Sequence, residues 1–196
     1  MTTAPGAAGT ERPIPEQFSL HKTIVLVGMM GAGKSAVGRA LASRLGVPLL
    51  DSDAEIELAA NATIAEIFAR DGEPFFRARE SEVIERLLAG VPCVLSTGGG
   101  AFLAARNRNA ISSHGASLWL CADLELLWDR VRHKETRPLL RTADPKQTLK
   151  DLCAAREPFY AMADLKVHTL PHYSIDETTD KVIEALLERP DILERT

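Results

Sequence analysis

Gly28-Met29-Met30-Gly31-Ala32-Gly33-Lys34-Ser35 follows the apolar run Thr23-Ile24-Val25-Leu26-Val27 and opens a segment with apolar residues at Val37, Leu41 and Leu45. The β-branched run reads as a strand buried on both faces, and the later spacing as one face of a helix. The eight residues between them fit the phosphate-binding loop pattern G-x-x-x-x-G-K-S/T, which needs that strand before it and that helix after it. At a helix start four backbone N–H groups lack intrahelical partners and the dipole end is positive, so the loop suits an anion. Gly31, Ala32, Gly33, Lys34, Ser35 and Ala36 are therefore candidate phosphate contacts. Lys34 adds a mobile charge and Ser35 a hydroxyl suited to Mg²⁺.

The remainder of the chain bounds what such a loop can serve. With 196 residues, 45% of them hydrophobic and 26% charged, it suits one globular domain with a full core. A net charge of −4 gives no footprint for nucleic acid, and no run of about 18 apolar residues is present to span a membrane. Cys93, Cys121 and Cys153 form no C-x-x-C pair, and two of them fall in expected strands, as reduced thiols of a cytoplasmic protein would. The first 20 residues are rich in Ala, Gly, Thr and Pro without periodicity and are expected to form a disordered tail, leaving 21–196 as a single domain.

Along that domain, Val47-Pro48-Leu49-Leu50 leads to Asp51-Ser52-Asp53 at the carboxyl end of a second strand. Thr63-Ile64-Ala65-Glu66 has the capping-box form, Asp71-Gly72 breaks the chain, and Pro74 suits the first turn of a helix to about Ala89. A third strand over 91–96 ends at Thr97-Gly98-Gly99-Gly100, a fourth covers 117–121, and Asp123 precedes the next helix. The polar, basic stretch from His133 to Ala143 reads as a mobile loop. A helix then begins at Asp144-Pro145, and Pro158 is expected to interrupt it after Arg156. Lys166 to Leu170 is the fifth strand, and Ser174-Ile175-Asp176-Glu177 caps the last helix. Short apolar strands alternating with helices predict an α/β fold of three layers, a five-stranded parallel sheet between helices. Ligands of such sheets gather beyond the carboxyl ends of the strands, where the loop, Asp51, Asp53 and the glycine triplet all fall.

Each signal also has a plainer reading. Asp51 and Asp53 could be a helix cap and its neighbour. The functional reading gives one carboxylate to the hydration shell of Mg²⁺ and the other to an acceptor hydroxyl. Three consecutive glycines cost backbone entropy, which favours close approach of a ligand over a mere turn. Arg77 and Arg79 lie on an expected helix, Arg137 in the loop and Arg156 near a helix end. Taken singly, each is an ordinary surface charge.

Taken together, Gly28 to Ser35, Asp51-Ser52-Asp53, Phe76-Arg77-x-x-Glu80, Ser96-x-Gly98-Gly99-Gly100, Arg137-Pro138-Leu139-Leu140 and Arg156-x-x-x-Tyr160 resemble the shikimate kinase family in order and interval, over about residues 23–163. The resemblance implies a P-loop kinase fold and ATP-dependent phosphorylation of the 3-hydroxyl of shikimate, a step in aromatic amino-acid biosynthesis. It implies a substrate-binding segment of about 51–80 and a lid of about 133–144. By matching position, Asp53 would hold the ring hydroxyls, Arg77 and Arg156 the carboxylate, and Gly99 would offer a backbone contact. Arg137 would close onto the transferring phosphate, Arg130 would face the adenine, and Asp51 would assist Mg²⁺ through water. Lys34, Asp53 and Arg137 would carry the chemistry, in a cytoplasmic enzyme expected to act as a monomer on ATP and shikimate.

One departure is Ala36, where the family's loop often carries Thr, which removes a possible phosphate-contacting hydroxyl. Alternative readings are a kinase of another small polyol acid such as gluconate, or a non-kinase nucleotide-binding module. A regulatory GTPase lacks its N-K-x-D and D-x-x-G motifs here, and Leu95-Ser96-Thr97-Gly98-Gly99 only loosely echoes a transport ATPase signature.

Overall fold

The computed structural model describes residues 17–133 and 138–196. Its centre is a five-stranded parallel sheet in the order β3 (Leu49–Asp51), β4 (Val94–Ser96), β2 (Thr23–Val27), β5 (Gly115–Ala122), β6 (Leu165–Thr169). Strand β2 lies in the middle with every residue buried, as its unbroken apolar run requires. Helices α1 (Lys34–Leu45), α2 (Ser52–Ala60), α3 (Ile64–Leu88), α4 (Ala105–His114), α5 (Leu124–Val131), α6 (Pro145–Tyr160) and α7 (Ile175–Leu187) complete the layers. The expected three-layer α/β architecture is therefore the observed one. Among the described residues, no helix is long and apolar enough to cross a membrane.

Register explains why the site forms where it does. Asp51 pairs with Ser96, and Ser96 pairs with Leu26, so three strands end side by side. The chain segments that leave them, 28–33, 52–53 and 97–100, must emerge on one rim. Local sequence sets the helix ends around it. Gly46 ends α1 in the left-handed region, and capping boxes start α3 at Thr63 and α7 at Ser174. Gly72, at φ 81°, divides α3 into two helical parts just before Pro74, as the Asp71-Gly72 break predicts.

Three expectations need correction. The tail does not reach Leu20: Phe18–Leu20 is strand β1, antiparallel to β7 (Leu193–Arg195). Phe18 and Leu20 pack on the main core there, so burial favours order. The rest of the expected tail, 1–16, lies outside the described residues. Pro158 does not end α6, which runs on to Tyr160. One lost N–H bond in the last turn is tolerable where packing holds the chain, and Tyr160 is 1% exposed. The third strand is shorter than expected, beginning at Val94. Of the expected lid, 134–137 and with them Arg137 lie outside the described residues. Residues 138–140 form a short 3-10 turn, and Leu140 is buried in the core.

Candidate active site

The rim encloses a cleft of about 490 Å³ lined by Gly31 to Ala36 on one side and by Asp51, Asp53, Gly98 and Gly99 on another. Gly33 takes φ 101°, a conformation costly for any residue with a Cβ, and there turns the loop into α1. Lys34 Nζ donates to the carbonyls of Gly28 at 2.8 Å and Met29 at 3.1 Å, so the ammonium sits within the curve of the loop. Arg130 lies across the loop, its Nη1 donating to the carbonyls of Gly31 at 3.2 Å and Ala32 at 3.4 Å. Burial holds its guanidinium below the usual range.

Asp51 caps α2: its Oδ1 accepts from the backbone N–H of Asp53 at 3.0 Å and Ala54 at 3.3 Å. The plain capping reading thus holds for Asp51, and its second carboxylate oxygen makes neither cap bond. Asp53 stands differently. Burial pushes its carboxyl up from an ordinary 3.8 to about 6, the negative charges of Asp51 and Glu80 add to the rise, and Lys34 opposes it.

Beside Gly100, Arg77 is held by acids on its own helix. Its Nη1 donates to Glu80 at 2.8 Å, and Nε and Nη2 to Glu73 at 3.3 Å, while the guanidinium lies 5.2 Å from the Phe76 ring centroid. Glu80 is 1% exposed, and its carboxyl is raised by burial against the pull of Arg77. Arg77 is therefore not the solvated surface charge of the plainer reading. Its partner Glu80 stands in the Phe76-Arg77-x-x-Glu80 motif, but its burial could not be read from the sequence.

The glycine triplet is a place of close approach, although the neighbours are the protein's own side chains. A Cβ at Gly98 would lie 2.9 Å from Asp53 Oδ1, one at Gly99 3.2 Å from Arg156 Nη1, and one at Gly100 2.7 Å from Arg77 Nη2. Three polar side chains from α2, α3 and α6 thus crowd one backbone turn. Thr97 Oγ1 donates to the Leu26 carbonyl at 3.0 Å and Tyr160 Oη to the Gly99 carbonyl at 2.5 Å, pinning the turn at its start and at its middle.

Sequence reasoning missed the far wall. Thr169, Tyr173, Ser174, Ile175 and Thr178, at the β6–α7 junction, line the same cleft as Arg130. The rule that ligands gather beyond strand carboxyl ends applies to the fifth strand too and would have found them.

A phosphate loop on the central strand, with acidic and arginine side chains crowded at a glycine turn beside it, defines a P-loop phosphotransferase for a small anionic acceptor. The comparisons narrow that class. The sequence model of the shikimate kinase family matches residues 30–187. A shikimate kinase of Ruegeria pomeroyi is 68% identical over 176 residues, covering 90% of this chain and 90% of that protein. One of Cereibacter sphaeroides is 63% identical over 175 residues, covering 89% and 87%. The solved shikimate kinase from Acinetobacter baumannii in complex with shikimate is 40% identical, covers 85% of this chain and 93% of its own, and matches with a TM-score of 0.80. The chain belongs to the shikimate kinase family.

Proposed function

We propose that this enzyme transfers the γ-phosphoryl group of ATP to the 3-hydroxyl of shikimate, giving shikimate 3-phosphate and ADP for aromatic amino-acid biosynthesis. The observation that carries the reading is the crowding of Asp53, Arg156 and Arg77 onto Gly98, Gly99 and Gly100, beside a loop built for phosphate. Shikimate pairs a carboxylate with ring hydroxyls. Planar guanidinium groups at Arg77 and Arg156 suit the first, since they bond a carboxylate through two parallel N–H groups, and the Asp53 carboxylate suits the second. Glu80 holds Arg77 in place before substrate arrives.

Phosphoryl transfer needs positioning and charge neutralisation more than covalent help. The backbone N–H groups from Gly31 to Ala36 would face the donor phosphates, and Lys34 would exchange its loop carbonyls for phosphate oxygens. The hydroxyl's proton goes to Asp53 as the new O–P bond forms and the bond to the leaving ADP breaks. A carboxyl raised to about 6 is a better acceptor of that proton than an ordinary one. Ser35 and Asp51 line one cleft and are hard oxygen donors, a set that fits Mg²⁺, with Ser35 as ligand and Asp51 through water. Bound there, the ion would neutralise phosphate charge. Arg130 would face the adenine, with the β6–α7 wall across from it. Arg137 and the lid over 133–144 would close over the transferring phosphate. A cytoplasmic monomer, with Cys93, Cys121 and Cys153 as free thiols, completes the proposal.

The test is kinetic. Arg77→Ala and Arg156→Ala should each raise the shikimate KM by tenfold or more, since a charged hydrogen bond contributes about 1.5 to 3 kcal/mol, and leave the ATP KM near its starting value. An unchanged shikimate KM in both variants removes the carboxylate assignment.

A further inference from the structure

We infer that Tyr160 is a positioning residue for the acceptor: its hydroxyl locks the Gly99 backbone and, with it, the place of the Arg156 guanidinium. The inference rests on the proposed roles of Gly99 and Arg156 in holding shikimate and adds the residue that sets their relative position. Tyr160 is 1% exposed, ends α6, and stands one helical turn after Arg156. Its Oη donates to the Gly99 carbonyl at 2.5 Å and reaches Met29 Sδ, in the phosphate loop, at 3.8 Å. The Gly99 α-carbon faces Arg156 and Tyr160 together. A Cβ built there would lie 3.2 Å from Arg156 Nη1, 3.6 Å from Tyr160 Oη and 3.6 Å from the Gly28 carbonyl.

Physical chemistry gives this contact a task. Three consecutive glycines have no side chain to limit φ and ψ, and fixing each backbone residue costs about 1 to 2 kcal/mol. Something outside the turn must hold it, and the buried phenol bonds its middle carbonyl. Burial pushes the Tyr160 hydroxyl above its usual range, against the pull of the Arg156 guanidinium, so the group stays protonated and able to donate. The ring is anchored as well, 6.0 Å from Trp119 on β5, the strand beside the phosphate loop's own. One side chain thereby joins three pieces of the site: the phosphate loop at Met29, the glycine turn at Gly99 and the helix that bears Arg156. A tyrosine that only fills space would need the ring and not the hydroxyl.

Tyr160→Phe keeps the ring and removes the hydroxyl, so it tests the contact with little risk to folding. Steady-state kinetics of Tyr160→Phe, Arg156→Lys and the double variant, with melting temperatures for each, decide the matter. The expected result for Tyr160→Phe is a rise of about 3- to 10-fold in shikimate KM, the loss of one hydrogen bond, with ATP KM within about twofold of the parent. The double variant should raise shikimate KM by less than the product of the single effects, because both act through one geometry. An unchanged shikimate KM in Tyr160→Phe, while Arg156→Lys raises it, overturns this inference and leaves the proposed function standing. Equal rises in both KM values with a lowered melting temperature also overturn it, in favour of a packing role. If Arg156→Lys leaves shikimate KM unchanged, the carboxylate reading and this inference fall together.

Discussion

Asp53→Asn probes the proposed proton acceptor through stability and activity at once. The folded protein raises this carboxyl from 3.8 to about 6, so the native state binds its proton more tightly than the unfolded chain does. The sign follows from linkage: any contribution of this group to stability is greatest at low pH and is lost as pH climbs from about 4 to about 6. Above about pH 7 the ionised carboxylate costs the fold its full penalty, about 3 kcal/mol from the shift alone and nearer 2 where the open side of the cleft lets solvent relax it. Near pH 5 the same arithmetic leaves about half. Asparagine has the shape without the charge. Asp53→Asn should therefore raise the melting temperature by about 4 to 12 °C near pH 8, by about half as much near pH 5, and less below about pH 4. The same variant should lose at least about 100-fold in kcat, the lower range for removing a general base. In the parent enzyme kcat/KM for shikimate should fall on the acid side with a midpoint near 6, where Asp53 takes up its proton. Circular dichroism melts at the two pH values and a coupled ADP-release assay measure both effects. A variant with the parent's melting temperature at high pH, or with kcat within threefold of the parent, refutes the reasoning.

Other outcomes follow from the same geometry. Deleting residues 1–16 should leave melting temperature and kcat nearly unchanged, whereas deletion through Leu20 removes β1, uncovers β7 and should lower the melting temperature by about 4 to 10 °C, seen by scanning calorimetry. Adding a non-hydrolysable ATP analogue and shikimate should slow amide exchange across 133–144, and unchanged exchange there counts against a closing lid. Glu80→Gln should raise shikimate KM by about 3- to 10-fold with little change in ATP KM, since it weakens the bond that holds Arg77 and leaves the phosphate loop alone.

What the sequence disclosed was local. Thr23 to Ser35 carries its strand, its glycines and its helix start within thirteen positions, so the centre of the sheet and the phosphate site could be read together. Caps at Thr63 and Ser174 were legible for the same reason, since each is a four-residue pattern. Features that depend on distant partners were not. The β1–β7 pair joins Phe18 to Arg195, and nothing in either triplet announces the other. Glu80 stood in a recognisable motif, but that its carboxylate is buried and clamps Arg77 follows only from how α3 packs. Tyr160 was visible four residues after Arg156, yet its contact with Gly99 crosses 61 positions. Gly98 to Gly100 were read as room for a ligand, and the packed chain shows that Asp53, Arg156 and Arg77 take part of that room first. The plain alternative for Asp51 proved true as a cap and is compatible with a second task, because one oxygen serves the helix.

The most direct test of the central claim is to incubate the full chain with ATP, Mg²⁺ and either shikimate or gluconate, following ADP release and identifying the product by ³¹P NMR. The account predicts turnover with shikimate and not with gluconate, one ADP per acceptor consumed, and phosphorus on the 3-oxygen alone. Turnover with gluconate instead, or ADP release with no phosphorylated shikimate, would contradict it.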